Sequence, residues 1–355
     1  MSNAAGDPMS VDYGSGLSPE QDLALTAPHP RDAAAAETMN FWAYDPERDI
    51  GVNIHPRIVA GEVHAMVTLF LPGGRIWRQR ADGGRFDDPA APMSERVRYR
   101  CLTPFRQWNY RVDKLPAFAT GDSAQWAGPI EDETPTTAID FDLTSTAAAP
   151  AWRNGTLTAE ARQMMEGPAG LWVAGRLGGG LDPDSFRYDQ LVRVTGRVAG
   201  PDGDVPFDGF GLRSHVRGTR NLGGMAGTCW MGGLFPSGRG FGVLVNHGAD
   251  GRDWDSEAYT TDGKTLTPAR VLKHPLRHRD PDEGDFWIQL ASDELGLVDI
   301  RGRDVRNFFW SMLAWGAQVP PKYGLDPRCG VVMKQALARY AWDGESGFGL
   351  NERSG

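Results

Sequence analysis

Residues able to move a proton or hold an anion crowd into one stretch of the chain. Arg213, His215, Arg217, Arg220 and Asn221 fall within nine residues, flanked on both sides by apolar, glycine-rich sequence. An imidazole exchanges a proton near neutral pH, and guanidinium groups can hold an anionic or carbonyl oxygen. Asp208, at the head of the stretch, offers a carboxylate to orient the imidazole. Arginines on either side bias His215 towards its neutral form, which leaves one ring nitrogen to accept a proton while Asp208 or a backbone group holds the other. The same residues also suit a second reading, a buried ion-pair network in which arginines satisfy carboxylates and carbonyls and hold two sheets together. Tyr188 and Gln190 lie upstream, and Trp42, Tyr44, Trp230 and Trp254 are candidates for an apolar pocket wall. Asp189, Asp255 and Glu352 are secondary acids.

Other chemistries find less support. No G-x-S-x-G elbow, phosphate-binding P-loop or strand-linked GxGxxG fingerprint is present, so no nucleotide or redox cofactor is expected. His274 and His278 have i, i+4 spacing, but Pro275 between them opposes the helix that would present both rings to one ion, and no metal is expected. Cys101, Cys229 and Cys329 are widely spaced without a CxxC pair, which reads as reduced packing residues. A net charge of −9 disfavours nonspecific contact with nucleic acid or an anionic membrane surface. No leader pattern and no stretch of about 18 apolar residues occurs, so a cytoplasmic protein without stable membrane insertion is expected. The oligomeric state is left open.

The elements that must position these residues read as sheet. At 355 residues, two packed units are expected, and 45 Gly with 25 Pro indicate many turns between short strands. Residues 1–36 read as a flexible tail with one brief helical signal, Ser18 as N-cap, Pro19 at the first helical position and Gln21 closing the box. Phe41–Asp45 and Ile50–Ile54 open the ordered part. Val63–Phe70 alternates and turns back through Pro72–Arg75 as a hairpin, and Arg96–Cys101, Phe105–Val112 and Ile139–Leu143 keep the period of two. A short helix over Thr158–Met165 and a glycine-rich connector over Gly167–Gly180 precede a boundary near 185. Tyr188–Val198, Met225–Leu234, Phe241–His247, Thr265–Leu272 and Leu295–Ile300 predict further strands, and Val331–Trp342 ends the sheet pattern. Val305, Phe308, Phe309, Met312 and Leu313 fit helical spacing, with a strand as the alternative.

Three segments carry a family resemblance: Phe186-Arg-Tyr-Asp-Gln190 leading to Val194-Thr-Gly196, then Phe207-Asp-Gly-Phe-Gly-Leu-Arg213, and Gly344-Glu-Ser-Gly-Phe-Gly-Leu-Asn-Glu352. They resemble the AttH-like superfamily, which includes hydroxyneurosporene synthase (carotenoid hydratase) and relatives of survival factor proteins and fungal lipocalin-like cyclases. Its pattern G-x-G-x-R-D-H-S-W-G-x-R is matched at Gly209, Gly211, Arg213, His215, Gly218 and Arg220. Ser214, Val216 and Arg217 stand where that pattern has the acid, the serine and the tryptophan. The resemblance implies an all-β fold of two consecutive lipocalin-like (calycin) barrels, residues 37–185 and 186–355, with few short helices and the motif near their junction. It implies acid/base chemistry, as a hydratase, isomerase or cyclase, on a hydrophobic isoprenoid or polyketide-like substrate. In that reading His215, Asp208, Arg213 and Arg217 are catalytic, and Arg220, Asn221, Trp230, Tyr188, Gln190, Trp42, Tyr44 and Trp254 bind substrate. The alternative is a carrier that holds a lipid or other hydrophobic ligand without turnover.

Overall fold

A computed structural model describes residues 11–27, 35–59, 61–121, 134–159, 185–200, 203–218, 225–248, 253–275, 284–312 and 331–354. Two β-sheets dominate. The first contains β1 (Ala36–Asp45), β2 (Ile50–Val59), β3 (Glu62–Leu71), β4 (Arg75–Arg85), β5 (Val97–Thr103), β6 (Gln107–Gly121), β7 (Thr137–Ala147), β8 (Trp152–Arg153), β9 (Phe186–Gly200) and β10 (Gly203–Gly218). Its order is β10-β1-β2-β3-β4-β6-β7-β9-β8 with β5 beside β6, and β9 also pairs β10, so the ladder returns to its start. The second is a closed barrel of β11 (Met225–Leu234), β12 (Gly240–Gly248), β13 (Asp253–Thr261), β14 (Leu266–Lys273), β15 (Phe286–Ser292), β16 (Gly296–Met312), β17 (Val331–Trp342) and β18 (Glu345–Ser354). Closure pairs every strand of this second barrel on both sides, which is how an extensive antiparallel sheet avoids sticking to others.

The expected hairpin at Pro72–Arg75 joins β3 to β4, and the alternating segments form strands as their period requires. Three expectations are corrected and one open element is decided. Strands β9 and β10 hydrogen-bond into the first sheet, so the change of sheet falls between Gly218 and Met225 rather than at 185/186. Val305–Met312 continues strand β16: past a register shift at Val305, Arg306–Met312 pair with β17, and cross-strand pairing decides what a short aromatic run becomes. Glu345–Ser354 is a further strand, which closes the barrel between β17 and β11. Finally, residues 11–27 are not a loose tail. The anticipated capping box at Ser18 starts a 3₁₀ turn, Pro19–Asp22, in which Asp22 is fully buried. The helix expected over Thr158–Met165 and the connector after it lie, beyond Ala159, outside the described residues.

Strand alternation sorts the core into layers. Met39, Phe41 and Ala43 of β1 face the interior of the first sheet with Val52, Ile54, Val67, Val112, Phe141 and Val194. Trp42 and Tyr44 point the other way and pack with Leu191 and Leu212 against Trp230, Leu244, Phe308 and Leu337 of the second barrel. Polar contacts reinforce this junction: Arg78 donates to the Phe309 carbonyl at 2.9 Å, and Trp152 Nε1 donates to Glu257 at 2.9 Å. A smaller cluster of Leu17, Phe105, Ala151, Phe186 and Tyr188, with Tyr13 against it, seats the N-terminal segment on the first sheet.

Candidate functional site

The charged residues of β10 alternate, so Arg213, His215 and Arg217 share one face of the strand. Across the ladder they meet Gln190, Tyr188 and Phe186 of β9 on one side, and Phe41, Met39 and Glu37 of β1 on the other. The two glycines before them let the strands approach this closely. A Cβ at Gly209 would lie 2.1 Å from the Tyr44 carbonyl oxygen, and one at Gly211 would lie 2.3 Å from that of Trp42. Only hydrogen fits there.

The face is built around two buried carboxylates from the N-terminal region. Asp22 takes Arg213 Nη2 at 2.6 Å and the Tyr188 hydroxyl on Oδ1, and on Oδ2 it takes Trp108 Nε1 at 2.8 Å and the Phe105 amide. Arg213 also donates to the Tyr188 hydroxyl oxygen at 3.0 Å and to Gln190 Oε1 at 2.9 Å. Glu37 accepts from Arg217 Nε at 2.6 Å on Oε1, which also lies 3.0 Å from His215 Nε2, and from the Leu25 amide at 2.6 Å on Oε2. Arg217 in turn donates to the Leu23 carbonyl at 2.5 Å. The rings of Phe186 and Tyr188 meet His215 edge-on, with centroids 5.1 and 5.7 Å away.

The electrostatics divide the roles. Burial raises the Glu37 carboxyl pKa, but the hydrogen bond from His215 and the charge of Arg217 outweigh it, and the net shift is downward. Burial is also the largest influence on His215, lowering its pKa; the Glu37 contact opposes this only in part, so the ring favours its neutral form. For Arg213, burial alone would weaken its hold on the proton, yet Asp22 reverses that and the net shift is upward. With Glu37 ionised, His215 Nε2 must carry the hydrogen, and Nδ1 is left as a buried acceptor with no hydrogen-bond partner among the described residues. Beside Glu37 and Arg217 lies a recess of about 10 Å³, walled by Leu25, Ala36, Ile58 and Gly61, which is room for about one water molecule.

The anticipated residues therefore separate into groups. His215, Arg213, Arg217, Tyr188 and Gln190 come together. Asp208 does not: it is exposed, seven positions along β10 and on the opposite face from His215, and its amide donates to Asp45 Oδ2 at 3.1 Å. Trp42, Tyr44 and Trp230 belong to the layer between the sheets, where the Trp42 and Trp230 indole nitrogens are buried without a hydrogen-bond partner among the described residues and Arg187 stacks 4.7 Å from Trp230. Arg220 and Asn221 lie outside the described residues, as do the side chains of Trp254 and Asp255. Asp189 is buried beside Arg187 at 3.4 Å, and Glu352 accepts from Gln335 in the second barrel. Asp22 and Glu37 were not anticipated; the capping box at Ser18 was the one signal that the segment holding Asp22 is ordered.

The sequence profile of a family described as a domain of unknown function, DUF7064, matches residues 19–307. The chain belongs to the DUF7064 family. That match begins at Pro19, so it takes in both buried carboxylates of the site. No curated protein matches the sequence. Among solved structures, a candidate AttH of Nitrosomonas europaea superposes with a TM-score of 0.60 at 16% identity, covering 98% of this chain and 99% of that one. CghA bound to Sch210972 gives 0.52 at 10% identity, over 90% of this chain and 88% of that one. Kievitone hydratase of Nectria haematococca gives 0.50 at 8% identity, over 98% of each. The fold of this DUF7064 chain is thus the AttH-like double lipocalin, as the sequence motifs indicated.

Proposed function

We propose that this protein is an enzyme that transfers a proton to or from a hydrophobic small molecule, as a hydratase, isomerase or cyclase, with His215 as the base and Glu37 as the group that orients it. The observation that carries the reading is the unpartnered Nδ1 of a neutral, buried His215 whose Nε2 is held by a carboxylate. A base needs an unprotonated acceptor fixed in position, which a neutral imidazole whose other nitrogen is held by a carboxylate supplies. Phe186, Met39 and Phe41 give the face apolar surroundings suited to a hydrophobic substrate. Arg213, anchored by Asp22, Tyr188 and Gln190, supplies a fixed positive charge for an oxygen that gains negative character. The names of two structural neighbours point the same way: one is a hydratase, and the other was solved with the small molecule Sch210972 bound.

A carrier with the same fold is the competing reading. Native mass spectrometry of freshly purified protein identifies a co-purified apolar molecule, which is then incubated with the protein in heavy water or ¹⁸O-labelled water. Incorporation of label by the wild type, and its loss in His215→Asn, is expected of the enzyme. A bound molecule returned without label by both proteins establishes the carrier.

A further inference from the structure

His247, Asp253 and His274 meet at one end of the second barrel, on three neighbouring strands. His247 near the end of β12 faces Asp253 at the start of β13 as its direct partner across the ladder, next to a register shift, and His274 follows the last residue of β14. His247 Nδ1 lies 2.9 Å from Asp253 Oδ1, His274 Nε2 lies 3.4 Å from Asp253 Oδ2, and the three ligand atoms all fall within 4.8 Å of one another. A tetrahedral zinc-type ion bound at about 2.0–2.2 Å sets neighbouring ligand atoms about 3.4 Å apart, so closure on an ion needs shifts of less than about 1.5 Å.

The hydrogen bonding of His274 explains why a cation belongs there. Its Nδ1 lies 3.1 Å from the Pro275 carbonyl oxygen, which can only accept, so Nδ1 carries the hydrogen. In the neutral ring Nε2 is then a bare lone pair aimed at a carboxylate oxygen, two acceptors facing each other. A proton or a metal ion must lie between them. Histidines that bind metals characteristically donate their other ring N–H to a backbone carbonyl in this way, which fixes the tautomer. The imidazoles of His247 and His274 are 94% and 90% buried, whereas Asp253 is 45% exposed, so the histidines are held in place while one side of the cluster stays open. That side adjoins a depression of about 510 Å³ lined by Lys273, Pro275, Phe286 and Trp287.

We infer that His247 Nδ1, an Asp253 carboxylate oxygen and His274 Nε2 form a site for a divalent transition-metal ion of the zinc class, with its fourth position open to the Trp287 depression. Two imidazoles and one carboxylate suit Zn²⁺ and Co²⁺ over Ca²⁺ or Mg²⁺, which take oxygen ligands. The ion staples the ends of β12, β13 and β14, and the open position takes water or a donor atom of a ligand lying against Trp287. The sequence alone pointed away from this site because it paired His274 with His278, while the actual partners are 27 and 21 residues upstream and meet it only through the barrel.

Full-length protein stripped with chelator and titrated with Zn²⁺ by calorimetry, and with Co²⁺ by visible absorption, tests the site. One equivalent should bind saturably, the cobalt spectrum should have the intensity of a four-coordinate ion, and the thermal midpoint should rise with Zn²⁺. His274→Ala and Asp253→Asn, each verified as folded by circular dichroism, should each weaken binding by about a hundredfold or more, at or beyond the upper end of what loss of an outer-sphere partner costs. His64→Ala, which removes a histidine paired with Asp82 at 3.4 Å on the other sheet, should leave binding unchanged. The assignment is overturned if no one-equivalent binding occurs, if His274→Ala and Asp253→Asn bind as the wild type does, or if His64→Ala weakens binding equally.

Discussion

Glu37 Oε1 lies 3.0 Å from His215 Nε2 although 178 residues separate them in sequence. The contact is diagonal on the sheet: the direct partner of His215 on β1 is Met39, and Glu37 stands opposite Arg217. One carboxylate therefore positions a base and pairs an arginine at the same time, which couples the geometry of the base to a buried ion pair.

That coupling separates two variants. His215→Asn keeps Glu37 paired with Arg217 and the Leu25 amide, so it should cost only about 1–2 kcal/mol of stability, while turnover falls by about 10²–10⁴, the usual contribution of a general base. Glu37→Gln leaves the Arg217 charge buried without its counter-ion and should cost about 3–5 kcal/mol. Activity and thermal midpoints measured on the same preparations check both. Wild-type turnover in the histidine variant would remove His215 from the chemistry.

Acid should destabilise the fold in two stages. The His215 pKa is lowered from its ordinary 6.5, chiefly by burial, so below pH 6.5 the unfolded chain binds a proton that the folded one refuses, and stability falls as the pH drops towards the folded value. The Glu37 pKa is lowered from 4.5, because the His215 hydrogen bond and the Arg217 charge outweigh burial; its stabilisation is complete above 4.5 and is lost as pH falls through the folded value. Thermal midpoints recorded from pH 8 to pH 3.5 should decline from about pH 6.5 downward in the wild type, and His215→Asn should flatten the part between 6.5 and 4.5. An unchanged profile in the variant would assign the acid sensitivity to other groups.

The density of Arg213, His215 and Arg217 made that stretch legible as a candidate site from sequence, though not as a strand with one shared face, and the period of two in Val63–Phe70 and Arg96–Cys101 made those strands legible. The partners were not legible. Asp208 is adjacent in sequence and so looked like the orienting acid, but parity sends its side chain to the other face, and no local pattern reports which distant strand lies alongside. Asp22 sits in a segment rich in Ala, Pro and Ser whose burial depends on a single 3₁₀ turn reaching the first sheet. The boundary was misplaced for the same reason: β9 has an ordinary strand pattern, and pattern alone does not tell which sheet receives a strand.

Asp22 should prove the more demanding of the two carboxylates to replace. Its oxygens accept from two side chains on one side and from the Trp108 indole and the Phe105 amide on the other. In Asp22→Asn the new amide would face donors on either side, and Arg213 would keep a buried charge without a counter-charge, so a loss of about 3–5 kcal/mol is expected. Asp208→Asn, at an exposed position, should stay within about 0.5 kcal/mol. Denaturant midpoints of the two variants check this, and the reverse ranking would restore Asp208 as the structural acid.

Gly211→Ala tests whether the close approach of β1 and β10 sets the site. Its Cβ would lie 2.3 Å from the Trp42 carbonyl oxygen and also press on the side chains of Val194 and Val192, so β1 must move away from β10 by more than a side-chain adjustment can absorb. Overpacking of this kind costs about 1–3 kcal/mol, with more expected where backbone must shift. Gly284→Ala, where an added Cβ meets nothing within 4 Å, should change stability by less than about 0.5 kcal/mol. Because Glu37 rides on β1 and His215 on β10, the same displacement lengthens their contact, so Gly211→Ala should also lose turnover in the folded protein at temperatures well below its midpoint. Full activity there would show that the base keeps its orientation without the glycine-tight seam.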